Sequence, residues 1–276
     1  MIISPFTPLF FLNRKTDGRD SEYIQTFATT DRILLQMIGE TSYSPAASVV
    51  DATNGRLIYT PSFSSWQINS DTKLYWFEMS LSPGYYAVYM PVFGYCEPFK
   101  VTDNPKELEE TTLIQYSMNT NRQRNDVVFF IDGMQYFFDF RVPGGFKDSN
   151  WSFGVESEQF VTQQSDIVQL YGLESTQKRF TLGNSQGVPV WFGEMLNRLL
   201  VCSHVYFDGV KYSRKESNVP ELTVQLEGVN SFVFNQTLQQ SVNLDPVIEM
   251  NNQAIMRRVD NDNYRLVTTN INRLIH

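Results

Sequence analysis

Leu74-Tyr75-Trp76-Phe77-Glu78-Met79, then the turn Ser82-Pro83-Gly84, then Tyr85-Tyr86-Ala87-Val88-Tyr89-Met90: this stretch decides the fold class. Two short apolar runs rich in aromatics flank a Pro-Gly turn. Bulky side chains of this kind suit a pleated surface, where they pack across strands. Pro and Gly supply the backbone angles a tight reversal needs. The stretch therefore reads as two antiparallel strands.

The same grammar continues on both sides. Upstream, Asn54-Gly55 is a two-residue hairpin signal between Val49-Val50 and Leu57-Ile58-Tyr59. Tyr23, Ile24 and Phe27 lead into Arg32-Ile33-Leu34-Leu35-Gln36-Met37-Ile38, the pattern of a buried strand. Downstream, Pro91 and Gly94 break the chain before the closing strand Pro98-Phe99-Lys100-Val101. Short strands at this spacing predict a β-sandwich over residues 21–103.

Asp103-Asn104-Pro105-Lys106-Glu107 is polar, acidic and interrupted by Pro, which marks a boundary. Glu107, Glu109 and Glu110 read as a solvated linker, since catalytic carboxylates need burial or a partner to shift their pKa. A second β-rich section is predicted over 104–245. Its strands are Thr112–Tyr116, Val127–Ile131 and, after an Asp132-Gly133 turn, Gln135–Val142, ended by Pro143-Gly144-Gly145. Val168–Tyr171 and Arg179–Leu182 read as two more. Pro189–Leu200 carries apolar residues at helical spacing behind a Pro, an amphipathic helix. His204–Phe207, Asp208-Gly209 and Val210–Tyr212 form another hairpin.

The expected fold is thus mainly β, with two antiparallel sandwich- or barrel-like sections. The second carries one packed amphipathic helix, and extended arms lie at the termini (1–20 and 246–276). Met1–Leu12 is apolar, but Pro5 and Pro8 break any helix, no basic residue precedes it and no small-residue cleavage site follows. An extended arm or edge strand fits it better than a leader. At the other end, Gln253–Val259 and Tyr264–Val267 flank Asp260-Asn261-Asp262-Asn263, a hairpin with a polar turn. No segment reaches the roughly 18 apolar residues of a membrane-spanning helix.

Composition narrows function. The 276 residues suffice for a core without staples, and 42% hydrophobic with 19% charged residues describe an ordinary folded chain. A net charge of −8 argues against sequence-independent nucleic-acid binding, which needs clustered Lys and Arg. The small basic cluster Arg257, Arg258, Arg265 and Arg273 reads as a solvated strand face. Cys96 and Cys202 are too few for a disulfide framework or a zinc site and read as buried free thiols of a chain made in a reducing compartment.

The sharpest catalytic motif is Gly183-Asn184-Ser185-Gln186-Gly187, a G-x-S-x-G between a strand and a helix. A nucleophile elbow starts its helix at the serine, whereas Val188-Pro189 delays it here. The context is hairpins rather than a parallel sheet. The histidines following Ser185 are His204, at a helix–strand junction, and His276, at the terminus, a poor general base. A turn is the better reading, and no catalytic residue is assigned. Asp260–Asn263 resembles the start of a calcium loop, but Arg265 stands where Gly is required and the twelfth position is not acidic. No metal or cofactor is expected.

What remains is aromatic surface. Trp66, Tyr75, Trp76, Tyr85, Tyr86, Tyr89 and Tyr95 crowd the first section, and period-two alternation sends about half to the face away from the core. Trp76 and Tyr86 read as core. Trp151 and Phe153, in a stretch that reads as a polar loop, read as contacts. The candidate interface residues are Phe6, Leu9, Phe10 and Phe11 of the N-terminal arm, Trp66, Trp151 and Phe153, and Ile255 and Ile271 of the C-terminal arm. Such residues anchor protein interfaces or stack on sugars.

Glu97-Pro98-Phe99-Lys100-Val101 closing a β section and Phe140-Arg141-Val142-Pro143-Gly144-Gly145-Phe146 resemble virion proteins of tailed phages of gut Bacteroidota. So do Gly187-Val188-Pro189-Val190-Trp191, Leu196-Asn197-Arg198 and the strand pair Val205–Tyr212. The resemblance covers roughly residues 95–220. It implies a tail- or neck-associated structural role: a protein of the virion, made in the host cytoplasm, forming a ring with copies of itself and touching other virion proteins. Terminal arms adding strands to a neighbour's sheet edge suit that role. The alternative expectation is a carbohydrate- or receptor-binding module.

Overall fold

The computed structural model of the protein describes residues 1–11, 23–161, 167–185, 187–214, 221–226 and 231–240. The first section is a sandwich. One sheet has the order β1-β3-β7-β6, built from β1 (Ile2–Ile3), β3 (Ile33–Glu40), β6 (Ser64–Gln67) and β7 (Thr72–Met79). The other has the order β2-β10-β8-β4-β5: β2 (Gln25–Ala28), β4 (Ser48–Asp51), β5 (Leu57–Tyr59), β8 (Gly84–Met90) and β10 (Phe99–Thr102), with β9 (Gly94–Tyr95) paired to β8. The aromatic strands β7 and β8 therefore lie in different sheets rather than in one hairpin. The Asn54-Gly55 signal does join β4 and β5.

Strand β3 explains the unbroken apolar run Ile33–Ile38. Ile33, Leu35 and Met37 enter the sandwich core with Val49, Val88 and Phe99. Leu34 and Ile38, on its other face, enter the cores shared with the second section. A strand covered on both faces has no polar side to alternate with. The one polar residue inside the run, Gln36, is fully buried and satisfied: its Nε2 donates to the Val128 carbonyl (2.8 Å) and its Oε1 accepts from the Val128 amide (3.3 Å).

The boundary at Asp103–Glu107 is a short helix, α1 (Pro105–Glu109), rather than a plain linker. Asn104 caps it, Pro105 opens it, and Glu107 pairs with Lys100 at 2.6 Å.

In the second section β11 (Thr111–Ser117), β14 (Phe138–Val161), β15 (Ile167–Leu182), β16 (His204–Phe207), β17 (Val210–Arg214) and β19 (Ser231–Gln240) pair antiparallel in the ring β14-β11-β16-β17-β19-β15-β14, a closed six-stranded barrel. β18 (Glu221–Leu226) lies outside β19. Small β12 (Phe130–Ile131) and β13 (Met134–Gln135) meet at the type I′-like turn Asp132-Gly133, where φ is 50° and 81°. Asp208-Gly209 turns β16 into β17 in the same way, with φ of 47° and 83°. The helix α2 (Val190–Leu199) buries Phe192, Met195, Leu196 and Leu199 in the barrel core with Phe140, Phe180 and Phe207.

Two sequence expectations are corrected here. Val127–Phe129 are buried but not strand, so the predicted Val127–Ile131 strand shrinks to β12. More important, Pro143-Gly144-Gly145 does not end a strand. Gly144 takes φ of 111°, and β14 runs on to Val161. Correspondingly, the two short strands expected at Val168–Tyr171 and Arg179–Leu182 are one, β15.

The N-terminal segment is the third correction. Phe6, Leu9, Phe10 and Phe11 are buried at 0%, 1%, 8% and 0% exposure, so they are not free to clasp a neighbour. Phe6 enters the barrel core and Leu9 and Phe11 the sandwich core, while Phe10 stacks on Trp191 at 3.6 Å. Backbone bonds fix the path: Ser4 N–H to the Gln36 carbonyl, Glu97 N–H to the Phe10 carbonyl, and the bridge Phe11–Cys96. Apolar periodicity shows that a segment seeks a core, but not whose core. The edge-strand half of the expectation holds in β1, which pairs with β3. Ile255 and Ile271 lie outside the described residues.

Candidate interface

The site is built from the long hairpin. β14 and β15 pair from Gly144–Leu182 out to Val161–Ile167. Near the body they are covered: β11 pairs with β14 as far as Pro143, and β19 pairs with β15 from Leu182 out to Thr176. Beyond Thr176 the hairpin has no further strand among the described residues. About nine residues of β15, Ile167–Ser175, therefore project some 30 Å at about 3.3 Å each.

The part inside the body is ordinary core. Phe146 and Phe180 pack with Phe207 and Tyr212, rings 4.7–5.6 Å apart. A register irregularity separates Phe146 from Trp151. From there Trp151 (42% exposed), Phe153 (75%) and Val155 (69%) follow at period two on one face, the first two level with the last residues of β15 that β19 pairs and Val155 just beyond them. Their partners across the hairpin are Lys178, Thr176 and Glu174. The ammonium of Lys178 lies 3.7 Å from the centre of the Trp151 ring, a cation–π contact, and the Trp151 and Phe153 rings are 5.9 Å apart. Farther out Phe160, Val161 and Ile167 are also exposed, at 58%, 60% and 67%. Glu158 and Glu174 are exposed acids on the same element.

The sequence singled out Trp151 and Phe153 as contacts on the strength of a polar loop. The structure places them on a strand instead, still at the surface. It adds Val155, Phe160, Val161 and Ile167, which sequence reasoning missed because the strand was cut at Pro143. An alternation Trp151-x-Phe153-x-Val155 was the available signal. Trp66 is different: its indole N–H donates to Asp132 (2.9 Å) and its ring packs half-buried beside Val128 and Ile131. Tyr86 is buried and Trp76 half-buried against core, while Tyr85 and Tyr95 stay exposed.

The Ser185 motif is a turn before α2. Gly183 and Gly187 have φ of 94° and 71°, and a side chain on Gly187 would collide with Ser231 and Phe232 where Val188 bridges to Phe232. Close backbone approach therefore accounts for both glycines. His204 hydrogen-bonds to Asn119 Oδ1 through Nε2 and lies beside Phe137 and Tyr206. Burial, and then the charge of Lys211, push its pKa down to about 4. Burial pushes the free thiols of Cys96 and Cys202 up to about 12. Among the described residues no group of His, Cys, Asp and Glu could hold a metal ion, and no helix is long and apolar enough to cross a membrane.

No family model and no curated protein matches the chain. One solved structure, described as the crystal structure of Dpr2 Ig1-Ig2 in complex with DIP-Theta Ig1-Ig3, is similar to it at 6% identity, over 82% of this chain and 90% of that one. The TM-score of 0.17 is too low to carry an argument.

Proposed function

We propose that this chain is a non-enzymatic structural subunit that works by binding other protein surfaces, with the β14–β15 hairpin as its docking element. One observation carries the reading: the outer part of this hairpin, a two-stranded ribbon beyond Thr176, presents Trp151 and Phe153 at its base and Val155, Phe160, Val161 and Ile167 along it to solvent. A ribbon of two strands is marginal alone in water, and its open edges are templates for further pairing. An exposed apolar stripe such as Trp151, Phe153 and Val155 on one face marks an interaction site. In its narrower form the reading is a ring-forming tail or neck subunit of a phage virion, bound to copies of itself and to neighbouring virion proteins. The resemblance over residues 95–220 supports that form.

Negative-stain microscopy of the purified full chain tests it. Rings or other closed assemblies that disappear in a Phe153→Ser/Val155→Ser variant are the expected result. A chain that stays monomeric at high concentration, and binds immobilised glycans through Trp151 instead, would replace this reading with the sugar-binding one.

A further inference from the structure

Resting on that reading, we infer that the open outer edge of β14 between Trp151 and Glu158 takes the C-terminal segment 253–276 of a second copy as an added strand. Three features of the molecule point to this occupant.

The first is the exit of the chain. β19 reaches Gln240 opposite Thr176, running antiparallel to β15 and so toward the hairpin tip. Residues 241–252 span at most about 40 Å, against about 30 Å from Thr176 to Ile167. That is enough chain to carry residues 253–276 past the tip of their own hairpin and hand them to a neighbour.

The second is the edge itself. β11 pairs no farther than Pro143, so beyond Gly144 the outer backbone groups of β14 have no strand partner among the described residues. An added strand would satisfy them.

The third is complementarity of pattern and charge. Tyr264-Arg265-Leu266 alternates apolar and basic, and the segment carries Arg257, Arg258, Arg265 and Arg273 against Asp260 and Asp262. On β14, Phe153 and Val155 occupy one face, and alternation puts the exposed acid Glu158 on the other. Tyr264 and Leu266 laid beside Phe153 and Val155 put Arg265 beside Gly154, on the opposite face of the added strand. Cross-strand apolar pairs are the units that stabilise such a junction.

The experiment uses three proteins: the full chain, a chain ending at Asn252, and the Phe153→Ser/Val155→Ser variant, which alters solvent-exposed side chains only. A fluorescein-labelled peptide of residues 253–276 is titrated with the shortened chain. Saturable binding that the hairpin variant lacks is expected. A peptide with Tyr264→Ser and Leu266→Ser should bind about two- to tenfold more weakly than the parent peptide. Absence of peptide binding, or binding unchanged in the hairpin variant, overturns the inference. Self-association of the shortened chain that still needs Phe153 and Val155 also overturns it, yet leaves the docking role of the hairpin intact. Failure of the full chain to associate with itself or any protein removes both.

Discussion

Polar residues buried where the two sections meet hold them together. Asp31 is 4% exposed, and its carboxylate accepts from both Arg141 Nε (2.7 Å) and Nη2 (2.9 Å) and from the Ala28 amide (2.7 Å). Arg141 lies in β14 of the barrel and Asp31 just before β3 of the sandwich, so the pair fastens one section to the other. Asp31→Ala would strand a buried guanidinium, and a loss of about 3–5 kcal/mol in chemical denaturation is expected. The double variant Asp31→Ala/Arg141→Met should recover part of that loss, because no unpaired charge remains. This pair was not legible in the sequence, since the two residues are 110 apart along the chain and no local pattern joins them.

His204 adds a pH dependence. Its folded pKa of about 4 lies below the ordinary 6.5, first through burial and then through Lys211. The unfolded chain therefore binds the extra proton between pH 6.5 and 4, and stability contributed by neutral His204 is present above that window and lost as pH falls through it. His204→Gln should flatten the fall in stability between pH 6.5 and 4 relative to the parent protein. Parallel curves for the two proteins across that window would show that His204 is not the group responsible.

Among the elements, the hairpin is two things in one. Phe180, inside the body, is fully buried, and Phe180→Ala should cost about 3–5 kcal/mol. Phe153, farther out on the same hairpin, is 75% exposed, and Phe153→Ser should leave the stability of the monomer within about 0.5 kcal/mol. Thermal unfolding of both variants at low protein concentration measures the contrast. Which elements could be read in advance follows from how local their cause is. Asn54-Gly55, Asp132-Gly133, Asp208-Gly209 and the helix behind Pro189 are set by a few adjacent residues, and all four were legible. The length of β14 was not: Pro143-Gly144-Gly145 breaks most strands, and only the pairing of Gly144 with Leu182 in the barrel carries this one through. The exposed stripe was legible in part, as Trp151 and Phe153, because the rest of it lies on the strand that the glycines concealed.

In the whole molecule, a sandwich and a closed barrel share β3 and the N-terminal segment as common core, and among the described residues the outer β14–β15 hairpin reaches away from the body. Two β-rich sections and one packed helix were readable from composition and periodicity. That the N-terminal arm would lock into its own chain was not, because burying Phe6 and Phe11 at home or in a neighbour satisfies the same apolar pattern. With the arm buried, the hairpin is the element to which the proposed function assigns assembly. The mass of the full chain by light scattering on a sizing column, beside that of the Phe153→Ser/Val155→Ser variant, tests this most directly. A defined oligomer of the parent chain and a folded monomer of the variant are expected; equal masses for the two would rule out the hairpin as the docking element.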